Sequence, residues 1–217
     1  MWLLYENKSK SSPFGMSNRF MVRYCSSLMR VSTISVLDNV LSKNDYKNLF
    51  NVVNDGKNFS WYFFNHYHNL SLSNDNNDIL THGFVHNFFH DNTVYSNNIE
   101  IIDPILDRLA EHFECSVIPV RIKMNMTLNV GRQVQHFPHI DVGEAIGNSN
   151  FKTAIFYIND SDGDTLFFDD DKETIVHRQT PHKNSLVVFD GDIFHAPQLP
   201  LVSARRLVVN INIMLDK

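Results

Sequence analysis

The sequence is poor in cysteine. Cys25 and Cys115 are its only two, far apart and in no metal-like spacing. That excludes a disulfide framework or a cysteine-built zinc site, and fits two reduced thiols in a cytosolic protein. Long apolar runs are also missing. No stretch approaches the ~18 residues a membrane-spanning helix needs, so no membrane partner is expected. Nor is there an excess of positive charge. The net charge of −5 argues against a general binder of nucleic acid or of membrane surfaces, although a local basic groove is compatible with it. No internal repeat is visible. Acidic residues are absent from Asn7 to Leu37, where Lys8, Lys10, Arg19, Arg23 and Arg30 stand among many serines. That composition suits an organelle transit peptide, or a loosely ordered extension ahead of a start at Met16, Met21 or Met29. Residues 1–30 are read as the extension.

What remains is ordinary for a globular chain. With 217 residues, 43% hydrophobic and 20% charged, the length allows one well-buried domain, assigned here to 31–217.

The first half reads as helices with little strand. Thr33–Leu37 is rich in β-branched residues and predicts a short strand. Ser42-Lys43-Asn44-Asp45 has capping-box spacing, and Tyr46, Leu49, Phe50 and Val53 follow on one face, so a helix is expected from about Lys43 to Asn54. Phe59–Phe64 is an aromatic cluster around Trp61, expected as a strand or a packed loop, with Trp61, Phe63 and Phe64 in the core rather than forming a substrate platform. Residues 65–99 are rich in Asn, His and Ser without periodicity, which predicts a long loop and candidate lid. Ile102, Ile105, Leu106, Leu109 and Phe113 predict a helix over Ile101–Cys115, with Pro104 in its first turn.

The second half changes period. Ile118, Val120, Ile122, Met124, Met126, Leu128 and Val130 alternate with a face carrying Arg121, Lys123, Asn125, Thr127 and Asn129. A strand or bent strand pair lining a polar cavity would show that pattern. Short strands are expected at about 153–159, 164–168, 174–177, 185–189 and 205–214. Turn residues at 160–163, 169–172 and 181–184 separate them. Helices followed by many short strands predict an α+β, mainly β chain with a sandwich or barrel core.

His139-Ile140-Asp141 places two metal-capable side chains at i and i+2, on one side of an extended segment. His195, just after the apolar run Leu186–Phe189, is the candidate third ligand. Two histidines and one carboxylate fill one face of an octahedral iron(II) and leave three positions open. Arg205 and Arg206 open the last strand, where a cation could pair with a distant carboxylate. If Arg206 points inward, so do Val208, Asn210 and Asn212, leaving Leu207, Val209, Ile211 and Ile213 for the helices. The opposite register would bury unpaired amides, which is costly.

With these motifs the sequence resembles the prolyl-4-hydroxylase-like branch of the 2-oxoglutarate/Fe(II) oxygenases, including small members from phages and bacteria. The resemblance rests on H-I-D at 139–141, F-K-T-A-I-F-Y-I-N at 151–159, G-D-T-L-F at 163–167, F-D-G-D-I-F-H at 189–195 and S-A-R-R-L-V-V-N-I-N at 203–212. It implies a double-stranded β-helix core (jelly-roll, cupin-like) flanked by the N-terminal helices. It implies Fe(II), 2-oxoglutarate and O2 as cofactor and co-substrates, and hydroxylation of a C–H bond with release of succinate and CO2. His139, Asp141 and His195 would hold the metal. Arg206 and Tyr157 would hold the far carboxylate of 2-oxoglutarate, with Thr153, Ile155, Asn129 and Asn210 near it.

Two features depart from the family pattern: Gly163-Asp164 stands where many relatives have two glycines, and the loop from Val142 to Asn150 is compositionally unlike an assignable substrate loop. The substrate is expected to be a small molecule or a peptide, by analogy a peptidyl or free amino-acid side chain such as proline, in the cytoplasm (a host's, were the protein phage-encoded). The rival readings are a zinc hydrolase using the same three ligands, a catalytically inactive binding module, and an oxygenase acting on a nucleobase. His136 is expected beside the triad without being a ligand. His66, His68, His82, His86 and His90 match no usual zinc spacing, and Asp169–Asp171 reads as a solvated turn.

Overall fold

The computed structural model describes residues 34–64, 83–132 and 134–216. The extension at 1–30, residue Thr33, most of the expected lid and His66, His68 and His82 lie outside them.

Chain order begins with β1 (Ile34–Leu37) and α1 (Lys43–Val53), then β2 (Tyr62–Phe64), β3 (Gly83–His90) and β4 (Thr93–Val94). After α2 (Asp103–Phe113) come β5 (Ser116–Leu128), β6 (Phe151–Tyr157), β7 (Thr165–Phe168) and β8 (Ile175–Gln179). The chain closes with β9 (Ser185–Asp190), β10 (His195–Pro197) and β11 (Arg205–Asp216).

Helix α1 begins at Lys43 as expected, and α2 begins at Asp103, two residues after the expected start. Ser42 caps α1, its hydroxyl accepting from the Asp45 N–H at 3.2 Å. Pro104 sits in the first turn of α2, which ends on Glu114 in the left-handed conformation (φ 54°).

All strand pairs among the described residues are antiparallel. Eight strands form the major sheet, in the order β1-β9-β6-β11-β5-β3-β2 with β4 beside β3, and three form the minor sheet, β10-β7-β8. The minor sheet is lengthened by single bridges, His139 with His195 and Gln135 with Gln198. The alternation read along β11 sorts its residues between the two faces of the major sheet. Leu207, Val209, Ile211 and Ile213 pack with Leu49, Val53, Ile105 and Leu109 of the helices. On the other face Val208 joins Ile155, Tyr157, Val187, Phe189 and Phe167, between the sheets. This is the mainly β, jelly-roll core that was expected, with the helices confined to one face.

The expected loop at 65–99 is corrected. Residues 83–90 form β3, which lies between β2 and β5, and Ile99–Ile102 form a 3-10 turn ahead of α2. The alternation there is disguised by a buried polar residue. His86 is inward, its ring nitrogens 2.7 Å from the Ser60 carbonyl and 2.8 Å from the Ser96 hydroxyl, and it stacks on Phe59. A register shift between Asn87 and Phe89 breaks the period further. Phe63 and Phe64 on β2, expected in the core with Trp61, are exposed, whereas Trp61 packs against the core and Phe59 is buried. No helix among the described residues is long and apolar enough to cross a membrane.

Candidate metal centre

His139, Asp141 and His195 meet between the two sheets, with one ligand atom of each within 4.8 Å of the others. The bridge between β10 and the segment at 139 brings them together. The His139 N–H donates to the His195 carbonyl and the His195 N–H to the His139 carbonyl, both at 3.0 Å. Asp141, two residues along, reaches the same point. Its Oδ1 is 3.8 Å from His139 Nε2 and its Oδ2 is 3.5 Å from His195 Nε2.

The protonation pattern of this cluster suits a metal. Each imidazole Nδ1 faces the main-chain carbonyl two residues earlier: His139 faces Phe137 O at 3.1 Å and His195 faces Ile193 O at 3.0 Å. A carbonyl only accepts, so Nδ1 carries the proton and Nε2 presents a lone pair. In His195 that Nε2 is buried and has no hydrogen-bond partner among the described residues. An orphaned buried acceptor is costly, and a cation between the two rings removes the cost.

Asp141 is ionised and fixed. Burial alone would raise its pKa. Against it, the positive charges of Arg121 and Lys123 help hold the carboxyl well below the usual range. Arg121 Nη2 donates to Oδ1 at 2.7 Å. Oδ2 accepts from the amides of Asn210 at 2.9 Å and Asn212 at 3.2 Å. The fully buried Asn212 also donates to Thr153 Oγ1 at 3.0 Å, and its carbonyl accepts from Arg121 Nε at 3.0 Å.

A cavity of about 180 Å³ adjoins the triad, walled by Arg121, Lys123 and Asn125 of β5, Arg206 and Asn210 of β11, and Thr165 of β7. Arg206 is 4% exposed at the closed end. Its Nε donates to the Gly163 carbonyl at 2.8 Å and its Nη2 to Thr165 Oγ1 at 2.7 Å. Arg205 turns outward to Asn54 at 2.6 Å. Gly163 is required there by space. A Cβ on it would lie 2.6 Å from the Gln198 carbonyl and 3.2 Å from Arg206 Cδ.

The structure places the other expected residues unequally. Asn210 and Ile155 line the cavity. Tyr157 lies one layer behind: its ring is under the Arg206 guanidinium at 5.6 Å and its hydroxyl is 2.7 Å from Oγ1 of Thr165, which lines the cavity. Burial lifts the Tyr157 pKa to about 12 against the lowering effect of Arg206, so the phenol stays protonated. Thr153 is likewise buried behind the wall, against Asn212. Asn129 does not line the cavity. It lies just past the end of β5, with its amide donating to the Leu201 carbonyl at 2.6 Å and its own carbonyl accepting from Gly131 N at 2.7 Å. The cavity closes at the row of Thr127 and Arg206, before Asn129 is reached. His136 is buried in the extended minor sheet, outside the cavity wall.

No family model and no curated protein matches the sequence. The tertiary structure does find relatives. The fold is that of the 2-oxoglutarate–Fe(II) oxygenases, a double-stranded β-helix. The chain is similar to an oxidoreductase of the 2OG-Fe(II) oxygenase family from Burkholderia pseudomallei, with a TM-score of 0.62 and 8% identity over 83% of this chain and 84% of that one. It is also similar to a Trichoplax adhaerens prolyl hydroxylase in complex with a hypoxia inducible factor peptide (TM-score 0.56, 13% identity, 83% of both chains). A third is HygX from Streptomyces hygroscopicus, with nickel and 2-oxoglutarate bound (TM-score 0.56, 8% identity, 83% and 82%).

Proposed function

We propose that this protein is an Fe(II)- and 2-oxoglutarate-dependent dioxygenase that hydroxylates a C–H bond. One observation carries the reading. The same cavity has a His-Asp-His cluster with metal-ready nitrogens on one side and a buried, pre-oriented arginine at its closed end. Iron(II) bound by His139, Asp141 and His195 would supply dioxygen activation coupled to decarboxylation of 2-oxoglutarate, yielding succinate and CO2.

The chain's own residues supply binding and order. Hydrogen bonds at Nδ1 fix both imidazoles. Arg121, Asn210 and Asn212 fix the carboxylate of Asp141. Arg206, braced by Gly163, Thr165 and the Tyr157 ring, is held ready for the far carboxylate of a keto diacid without reorganising. Ile155 and Val208 contribute apolar wall between the two ends and limit the water there. The substrate is a small molecule or a peptide, with an amino-acid side chain such as proline as the favoured target, and the protein acts in the cytoplasm. A zinc hydrolase or an inactive module would have no use for the braced Arg206.

Anaerobic addition of Fe(II) and 2-oxoglutarate should produce a metal-to-ligand charge-transfer absorption. His139→Ala and Asp141→Ala should abolish it, and Arg206→Ala should mainly raise the 2-oxoglutarate concentration needed. No absorption in the wild-type protein would defeat the reading.

A further inference from the structure

The cavity holds more cations than the proposed co-substrate anchor needs. Its lining has three, Arg121, Lys123 and Arg206, against the single carboxylate of Asp141. Two of the three are committed. Arg121 is paired with Asp141 and Asn212, and Arg206 is braced by Gly163 and Thr165. Among the described residues the Lys123 ammonium makes no hydrogen bond or salt bridge, although it lines the cavity.

Its environment leaves that charge under-compensated. Burial, then repulsion from Arg121, lowers its pKa to about 8 despite the attraction of Asp141. A desolvated ammonium with no acceptor costs free energy, and an acceptor arriving with a ligand recovers it.

Its position separates it from the arginine anchor. Lys123 pairs across the sheet with Asn210, whose amide holds Asp141, whereas Arg206 pairs with Thr127. Those rows are four positions apart along β5, roughly 13 Å of backbone at the usual rise. The two cations therefore enter the cavity from separate rows, Lys123 from the row whose Asn210 holds Asp141 and Arg206 from the row of Thr127.

We propose that Lys123 binds a carboxylate at the metal end of the cavity, a second anion seat besides that of Arg206. The inference rests on the oxygenase reading for the source of that carboxylate. It belongs either to the keto-acid end of the co-substrate or to a free acid group of the substrate. The second source would make the substrate a free amino acid or an acidic side chain, because an interior peptide proline has no carboxylate.

The test is calorimetric titration of Mn(II)-loaded protein with 2-oxoglutarate and with 2-oxopentanoate, which lacks the far carboxylate. Lys123→Met should weaken both about tenfold or more, the loss of one charged hydrogen bond. Lys123→Arg should restore most of it. Arg206→Met should weaken 2-oxoglutarate alone. Thermal melting checks that each variant is folded, with Lys123→Gln standing in should the methionine variant fail.

If Lys123→Met binds both keto acids normally, the second arm decides. Protein saturated with 2-oxoglutarate is titrated with free amino acids and with their amides. A wild-type preference for the acids that Lys123→Met abolishes assigns the seat to the substrate. Unchanged keto-acid affinity together with no such preference overturns the inference and leaves the oxygenase reading standing. A wild-type protein indifferent to both keto acids sinks that reading, and this inference with it.

Discussion

The main chains of His139 and His195 exchange two hydrogen bonds of 3.0 Å, and their rings stand 4.7 Å apart, centre to centre. The bridge sets the side chains of two distant segments on one face at neighbouring positions. Ligand convergence is thereby a property of sheet pairing, and no side-chain strain is required for it. Asp141 then completes the site by the period of an extended chain, and its own partners come from β5 and β11. Four consequences can be measured.

Arg121 holds Asp141 Oδ1 and the Asn212 carbonyl together. Arg121→Ala should lower metal affinity by about 10- to 100-fold, the usual effect of losing a partner that orients a ligand. Competition between the protein and a chromophoric chelator for Mn(II) or Ni(II) would measure it. Unaltered affinity would show that the two asparagines suffice.

Asn212 is fully buried and joins Arg121, Asp141 and Thr153. Asn212→Ala leaves buried partners unpaired and should cost about 1–3 kcal/mol of stability. Urea unfolding of the metal-free protein is the appropriate measurement, since it separates stability from metal binding.

Gly163 gives up its side-chain space to the Gln198 main chain and its carbonyl to Arg206. Gly163→Ala must push one of them away. It should destabilise by about 1–3 kcal/mol and weaken 2-oxoglutarate binding more than 2-oxopentanoate binding. Equal losses for the two would place the disturbance at the metal.

Asp162 carries the pH dependence of the neighbouring loop. Burial pushes its pKa up, but N–H groups of Ser203, Val202 and Leu201 donate to the carboxylate at 2.9, 2.8 and 3.0 Å and hold it below the usual range. A carboxyl depressed on folding stabilises above its unfolded pKa of ~3.9, and the contribution fades as pH falls through the folded value. Wild-type protein should therefore lose melting temperature below about pH 4 more steeply than Asp162→Asn. Parallel melting curves for the two across pH 5 to 2 would contradict this.

The site was legible in unequal parts. Strict alternation in β5 and β11 assigned Arg121, Lys123 and Asn125 to a polar face and Arg206 with Asn210 to the inward register, because side-chain direction in a strand is set by the backbone itself. The same rule could not tell that Asn129 lies off the cavity wall: it describes a face and does not say where the cavity along that face ends. Thr165 carried no signal, being one hydroxyl in a short apolar strand. β3 escaped because burying His86 needs Ser60 and Ser96, supplied by other segments.

The amino-acid order alone determined which residue types face the same way and where the metal-capable ones lie. Only the tertiary structure decided who meets whom. Arg121 reaches Asn212 across the β5–β11 pairing and Asp141 beyond it, while Thr165 comes between Tyr157 and Arg206. The physical reason is range: periodicity is written in adjacent residues, whereas cross-strand register depends on how every strand of both sheets buries its apolar face at once.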